Sequence, residues 1–354
     1  MKIGIVLPNW IGDAAMATPM LRSLRSHFGE QATLLGIARP NVVPLFDGLT
    51  WLDQFITCGP SGRRSIRDTL SLVRALRRYR VDTMLLLPNS LRTGLIGWLS
   101  GARRRIGYVR YGRGPLLSDR IQPPRSASRL VPTSPVDYYL RLAEAVGCPP
   151  APRDLELATT EREEELADQV WREHSLTRAA CVIALNSGGA YGAAKHWPLP
   201  HCAELAVRLA QRPDTRVLVM CGPAERTTAL EIERQAAHPR VISLARESLS
   251  LGLSKACVRR SQLLITTDSG PRHLAAAFGV PCLALFGPTD PRWSWNYHAG
   301  EVILQESLPC VPCARRTCPL GHHRCMTELS VERVYQSALR QLATVPACSV
   351  HSVP

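Results

Sequence analysis

Leu263-Leu264-Ile265-Thr266-Thr267-Asp268-Ser269-Gly270-Pro271-Arg272-His273-Leu274-Ala275-Ala276-Ala277-Phe278-Gly279-Val280-Pro281-Cys282-Leu283-Ala284-Leu285-Phe286 is the stretch that decides the fold. It opens with a short apolar run of strand type ending at Asp268. Ser269 and Gly270 turn the chain sharply, Pro271 suits the first turn of a helix, and Gly279 ends that helix. A second strand-like run follows at 282–286. Strand, turn, helix and strand in this order form a βαβ unit of a parallel sheet.

The same rhythm extends outward in both directions. Strands are predicted at 181–186 and 217–221, with helices at 199–211, 225–236 and 249–259 and a last helix at 331–343. Toward the N-terminus, strands are predicted at 2–7, 33–37 and 83–87, and helices at 15–27 and 134–146. Ile66, Leu70, Val73 and Leu76 repeat at helical spacing, so 65–79 reads as an amphipathic helix with arginines on its outer face. Gly147-Cys148-Pro149-Pro150-Ala151-Pro152 interrupts the rhythm as a linker, and an acidic helix at 160–173 starts the second half. A chain of 354 residues suits two domains. The expected fold is α/β: two Rossmann-like, doubly wound domains facing each other across a cleft, the first over 1–158 and the second over 159–330. In open α/β sheets ligands bind outside the carboxyl ends of the strands, so chemistry is expected at the strand-to-helix turns. The tail after Pro346 is expected to fray.

Charge and composition narrow the class. Apolar residues make up 45%, enough for two cores. No apolar run reaches the ~18 residues of a membrane helix, and the first apolar stretch is closed by Pro8, too short for a signal peptide. Both features predict a cytoplasmic protein. The net charge of +14 is concentrated: residues 60–130 hold 16 Arg against 3 Asp, with no Lys or Glu. Such a stretch suits an acidic partner, whether nucleic acid, an anionic membrane or a phosphorylated substrate, or is simply a solvated face. No aromatic interleaving or recognition motif accompanies it, which argues against nucleic acid.

Three turns carry chemistry. Pro8-Asn9-Trp10-Ile11-Gly12-Asp13-Ala14 follows the first strand; the Asp13 carboxylate is either an N-cap or a general base. Asn186-Ser187-Gly188-Gly189-Ala190-Tyr191-Gly192-Ala193-Ala194-Lys195-His196-Trp197-Pro198 follows another strand. The backbone of Ser187, Gly188 and Gly189 is free to approach an oxyanion, and Lys195 adds a mobile positive charge. Its spacing is not that of a Walker loop. Asp268-Ser269-Gly270 opens the helix whose N-terminus favours a diphosphate, with His273 one turn in. Asp268 is expected to orient the loop, or to position a cation or a sugar hydroxyl; capping is the structural reading for it and Ser269. Two weaker loops, Cys221-Gly222-Pro223-Ala224-Glu225 and Phe286-Gly287-Pro288-Thr289-Asp290-Pro291, end other strands, and Glu225 suits ribose hydroxyls.

Taken together and in this order, N-W-I-G-D, A-Y-G-A-A-K-H-W-P, D-S-G-P-R-H-L-A-A-A-F-G-V-P and L-F-G-P-T-D-P resemble glycosyltransferase family 9, the lipopolysaccharide heptosyltransferases, over residues 1 to about 345. The first two motifs are more similar to the family's type II branch than to type I. Ser187-Gly188-Gly189 departs from the pattern, which leads one to expect a proline–glycine pair. The resemblance implies a GT-B fold with the acceptor on the first domain, ADP-heptose on the second, and the helix at 331–345 packing back on the first domain. It implies an inverting transfer with Asp13 as base. Lys195, Asp268, Ser269, Gly270 and His273 would hold the donor diphosphate and sugar, and Glu225 the nucleoside. No cofactor is required for that chemistry. The implied acceptor is a phosphorylated Kdo–lipid A glycolipid bearing one heptose, met at the cytoplasmic face of the inner membrane. The alternatives are addition of the first heptose, another nucleotide sugar, or a non-catalytic basic protein.

Cys310-x2-Cys313-x4-Cys318-x6-Cys325, with His322 and His323, has metal-ligand character. A structural zinc, two local disulfides and free thiols are the three readings, all of them remote from the strand-end motifs. Cys181, Cys221 and Cys282 read as small buried hydrophobes.

Overall fold

The computed structural model describes residues 1–57, 66–127, 129–189 and 191–344. Cys58, Ser65, Ala190 and the tail from 345 lie outside them. The chain divides into two compact units, Met1–Ala158 with Arg292–Asn296, and Thr159–Pro291 with the remainder.

The first unit holds a six-stranded parallel sheet: β1 (Lys2–Val6), β2 (Thr33–Ala38), β3 (Gln54–Thr57), β4 (Thr83–Leu86), β5 (Arg104–Tyr108) and β6 (Asp119–Ile121), in the order β3-β2-β1-β4-β5-β6. A two-stranded hairpin, β7 (Arg125–Ser126) and β8 (Arg129–Leu130), follows. Its helices are α1 (Ile11–Ala15), α2 (Thr18–Phe28), α3 (Ile66–Tyr79), α4 (Leu91–Leu99) and α5 (Pro135–Glu144). The helix expected at 15–27 begins at Thr18, after the separate short α1: Pro19 in the first turn of α2 cannot donate a backbone bond, and the Thr18 hydroxyl donates to the Ala15 carbonyl instead, at 2.7 Å. Ser134 caps α5 by accepting from the Val136 amide.

The second unit repeats the plan with β9 (Cys181–Asn186), β10 (Thr215–Val219), β11 (Val241–Ser243), β12 (Leu263–Thr267), β13 (Cys282–Phe286) and β14 (Glu301–Gln305), in the order β11-β10-β9-β12-β13-β14. Its helices are α6 (Glu161–Glu173), α7 (Leu199–Ala210), α8 (Arg226–Ala236), α9 (Leu251–Arg260), α10 (Pro271–Phe278), α11 (Arg324–Thr327) and α12 (Val331–Thr344). Thr160 and Glu163 form a reciprocal capping box at the start of α6. α12 packs on α7, β12 and β13, with Val331, Val334 and Ala338 buried in the second core. The resemblance led one to expect this helix on the first domain. Its apolar stripe fits the second core, which also takes Trp197 and Met326.

The arginine-rich stretch is not one solvated face. Arg113 is fully buried and donates to the Tyr108 carbonyl, Pro88 carbonyl and Asn89 Oδ1. Arg104 pairs with Asp119, and Arg105 caps the Ala102 and Leu116 carbonyls. Among the described residues no helix is long and apolar enough to cross a membrane.

Candidate active site

Parallel strands bring their carboxyl ends to one edge of each sheet. In the second unit this edge gathers the turns after β9, β10, β12 and β13. The Asn186 side-chain amide donates to the Gly188 carbonyl and to the Thr266 and Ser269 hydroxyls, at 3.0, 3.1 and 3.1 Å. The Thr267 hydroxyl donates to the Gly188 carbonyl at 2.9 Å. The two turns are thus stitched into one floor. Glycine at 188 and 189 has a steric reason: a Cβ at 188 would stand 2.3 Å from Glu225 Oε1, and one at 189 would stand 3.0 Å from the Ser269 Cβ. Glu225 accepts from the Gly222 amide at 2.9 Å, so one carboxylate oxygen is already engaged beside the Gly188 turn.

Lys195 is buried and held, not mobile as expected. Its Nζ donates to the Asp268 carboxylate at 2.5 Å and to the Asp268 carbonyl at 3.1 Å, and lies 4.3 Å from the centre of the Tyr191 ring. Thr289 donates to the same carboxylate at 2.7 Å, and Arg272 Nη1 stands 3.5 Å from its other oxygen. Arg272 is itself fully buried and bidentate on Glu301, at 2.7 and 2.8 Å. Burial alone would push Asp268 up; Lys195 and Arg272 more than offset it and hold the carboxyl below its usual range. Asp268 therefore serves as the counter-ion that aims two cations, and its cap role falls to no one, since Gly270 precedes α10 without a side-chain cap. His273 is buried on α10. Burial, reinforced by Arg272, pushes its imidazole well below the usual range, so it is neutral and cannot supply positive charge. Arg272, Thr289 and Glu301 were not assigned from sequence. The i,i+4 spacing of Asp268 and Arg272 was the one available signal; Thr289 comes from the turn after β13 and Glu301 from the start of β14.

The cysteine segment is not remote from these turns. Its Arg316 carbonyl accepts from the Ala194 amide at 3.0 Å, its Ala314 carbonyl from the Tyr191 hydroxyl at 2.8 Å, and His323 Nε2 bonds the Ala194 carbonyl at 2.8 Å. Gly192, at φ +151°, lets the chain pass the Arg316 backbone, whose oxygen would lie 2.6 Å from a Cβ. Cys310, Cys313, Cys318 and Cys325 are free thiols around one small pocket shared with His322 and His323, so the disulfide reading is not realised. Among the described residues, only Glu173, His174 and Glu247 bring three ligand atoms within 4.8 Å of one another; no three of the four cysteine sulfurs do so. Tetrahedral zinc would require about 3.8 Å between sulfurs.

In the first unit, Asp13 lies in the first turn of α1. Trp10 occupies the N-cap position without a side-chain bond, so the capping reading of Asp13 does not hold. The half-buried carboxylate lines a cavity of about 390 Å³ with Asn9, Trp10, Arg39, Arg92 and Tyr139. Trp10 is half exposed at its mouth.

The profile of glycosyltransferase family 9 (heptosyltransferase) matches residues 69–324. Lipopolysaccharide heptosyltransferase 2 of Salmonella typhimurium is 27% identical over 95% of this chain and 97% of its own length. Lipooligosaccharide heptosyltransferase 2 of Campylobacter jejuni is 25% identical over 96% and 97%. Among solved structures, the Escherichia coli ADP-heptose lipopolysaccharide heptosyltransferase II superposes with a TM-score of 0.78 at 24% identity, covering 97% of this chain and 99% of that one. The fold is therefore the two-domain GT-B architecture of that enzyme.

Proposed function

The chain belongs to glycosyltransferase family 9, and from that premise we propose that it transfers L-glycero-D-manno-heptose, with inversion, from ADP-heptose to a heptosyl-Kdo–lipid A acceptor. The observation that carries the reading is the buried Lys195–Asp268–Arg272 cluster at the β12 carboxyl end, beside the N-terminus of α10. A departing ADP builds negative charge on its diphosphate. A preoriented lysine and helix amides stabilise that charge more than they stabilise the bound donor. Ser187, Gly188, Gly189, Ser269 and Gly270 form the close-approach surface for the diphosphate. Asp268 aims Lys195, His273 supports the turn from within, and Glu225 takes the nucleoside ribose.

Asp13 takes the proton of the acceptor hydroxyl in the first unit's cavity. Trp10 offers an aromatic face to the acceptor sugar, and Arg39 and Arg92 attract its anionic groups. The acceptor is lipid-anchored, so the protein works at the cytoplasmic face of the inner membrane. A structural zinc on Cys310, Cys313, Cys318 and Cys325 belongs to the same reading, on the condition that the sulfurs, which are not gathered to tetrahedral spacing in the structure, draw together on binding it. Four free thiols sharing a pocket with two histidines support it, and about one zinc per chain in the purified protein is the expected result; metal-free protein with intact activity ends it.

Turnover with ADP-heptose and mono-heptosylated Kdo–lipid A, followed by ADP release, tests the main reading. Release only with an acceptor lacking heptose would assign the first addition instead. Release with neither acceptor, but with another sugar nucleotide as donor, would replace heptose.

A further inference from the structure

α3 and α4 lie side by side and parallel on the first unit. Arg92 of α4 donates to the Thr69 hydroxyl near both N-termini, at 3.0 Å, and Arg77 of α3 donates to the Leu99 carbonyl near both C-termini, at 2.8 Å. Their inner faces are accounted for by Leu72, Leu76 and Ile96 in the first core. The outer faces depart from what a crossover helix ordinarily presents to water. On α4, Leu91, Leu95 and Trp98 recur at i, i+4 and i+7 with 50%, 38% and 54% of their surface exposed. On α3, Ile66 and Leu70, one turn apart, are 79% and 44% exposed. The charges around them have one sign. Arg67, Arg74, Arg77 and Arg78 are exposed on α3 and Arg103 just beyond α4, while Asp68 is the one acidic residue on either helix and is half-buried.

We infer that this helix pair is the surface by which the protein lies on an anionic phospholipid bilayer, with Leu70, Leu91, Leu95 and Trp98 entering the headgroup region and the flanking arginines meeting lipid phosphates. Leucine and tryptophan beside arginine is the composition that gains from both parts of an interface: apolar surface leaves water at the acyl boundary, tryptophan rests at headgroup depth, and guanidinium pairs with phosphate. A nucleic acid would use the arginines and gain nothing from three exposed apolar residues in a row along one helix face. The inference deepens the membrane association proposed above by assigning its surface. Its test needs no turnover, so it stands or falls separately from the transferase reading.

The full chain is sedimented with vesicles of phosphatidylcholine alone and of phosphatidylcholine with phosphatidylglycerol at three to one. Binding is expected to the anionic vesicles and to weaken with salt. Leu91→Ser with Leu95→Ser and Trp98→Ser should lower the partition coefficient on the order of thirtyfold or more. Arg74→Gln with Arg78→Gln should lower it by about tenfold. Trp98→Phe supplies a readout that does not depend on a damaged fold: brominated lipid should quench the wild-type tryptophan emission and leave this variant's emission largely unquenched. Equal partition to both vesicle types, unchanged partition of the triple variant, equal quenching with and without Trp98, or tight binding to duplex DNA in place of vesicles would each overturn the assignment.

Discussion

Asn186, Gly188, Thr266, Thr267 and Ser269 in the second unit bond to one another, and Lys195 and Asp268 close the set with a buried ion pair. After β1 in the first unit, a turn at the same topological position leaves Asp13 and a half-exposed Trp10 lining an open cavity. The two sheets have the same strand order, so topology alone does not account for the difference; the proposed function does, with a diphosphate held in the second unit and a glycolipid admitted by the first. A diphosphate is small, highly charged and common to every donor molecule, and dipoles fixed before it arrives cost no reorganisation when charge develops. A glycolipid is large, and a pocket that admits it cannot be closed by internal bonds.

Substituting each side separates these roles. Asp13→Asn should lower kcat by about 10²–10⁴-fold and leave ADP-heptose affinity, measured by calorimetry, unchanged. A comparable loss of donor affinity would erase the contrast between the units. Lys195→Ala should weaken donor binding by about 100-fold and lower unfolding free energy by roughly 3–5 kcal/mol, because Asp268 is left buried with less compensation. In urea titrations, adding Asp268→Ala should restore part of that stability without restoring affinity. If both return together, the pair is a packing feature and not a binding one.

Gly192→Ala probes the contact between the loop assigned to the donor and the cysteine segment. The backbone oxygen of Arg316 cannot move aside as a flexible side chain would, and φ +151° strains any L side chain. A loss of about 1–3 kcal/mol is expected, with a raised donor KM and an unaltered acceptor KM. An unchanged donor KM would show that the segment braces the loop without shaping it.

The smallest effect is the pH dependence set by His273. Its folded-state pKa lies well below the ordinary 6.5, so below that value the unfolded chain binds the extra proton and the folded chain does not. Stability should therefore be fully present above about pH 6.5 and decline on acidification until the folded-state value is passed. His273→Asn should flatten that slope in chemical denaturation between pH 7 and 5. An identical slope in the variant would mean the imidazole is protonated in the folded protein.

Both units were legible in the sequence because their central strands are short, apolar and followed within a few residues by glycine, as at 181–186 and 263–267. What escaped was marginal, polar or uniformly apolar by local measure. β5 begins Arg104-Arg105, β3 is half-exposed at the sheet edge, β11 has three residues, and α4 has too apolar a sequence to show a sided pattern. These elements exist because neighbours complete them: Arg104 and Arg105 pair along β4 while their guanidiniums bond Asp119 and the Leu116 carbonyl.

By itself the sequence determined the βαβ rhythm, the division near residue 158, and the turns at 8–13, 186–195 and 268–270, because hydrophobic period and the backbone limits of glycine and proline act over a few residues. Tertiary structure alone decided that Lys195 is a buried partner of Asp268, that Arg272 and Glu301 stand behind them, that the cysteine segment holds the loop ending at Lys195, and that α12 covers the second core. Each of those joins residues far apart in the chain, and only the packed fold, by removing water and fixing distance, tells one charged side chain which other it will meet.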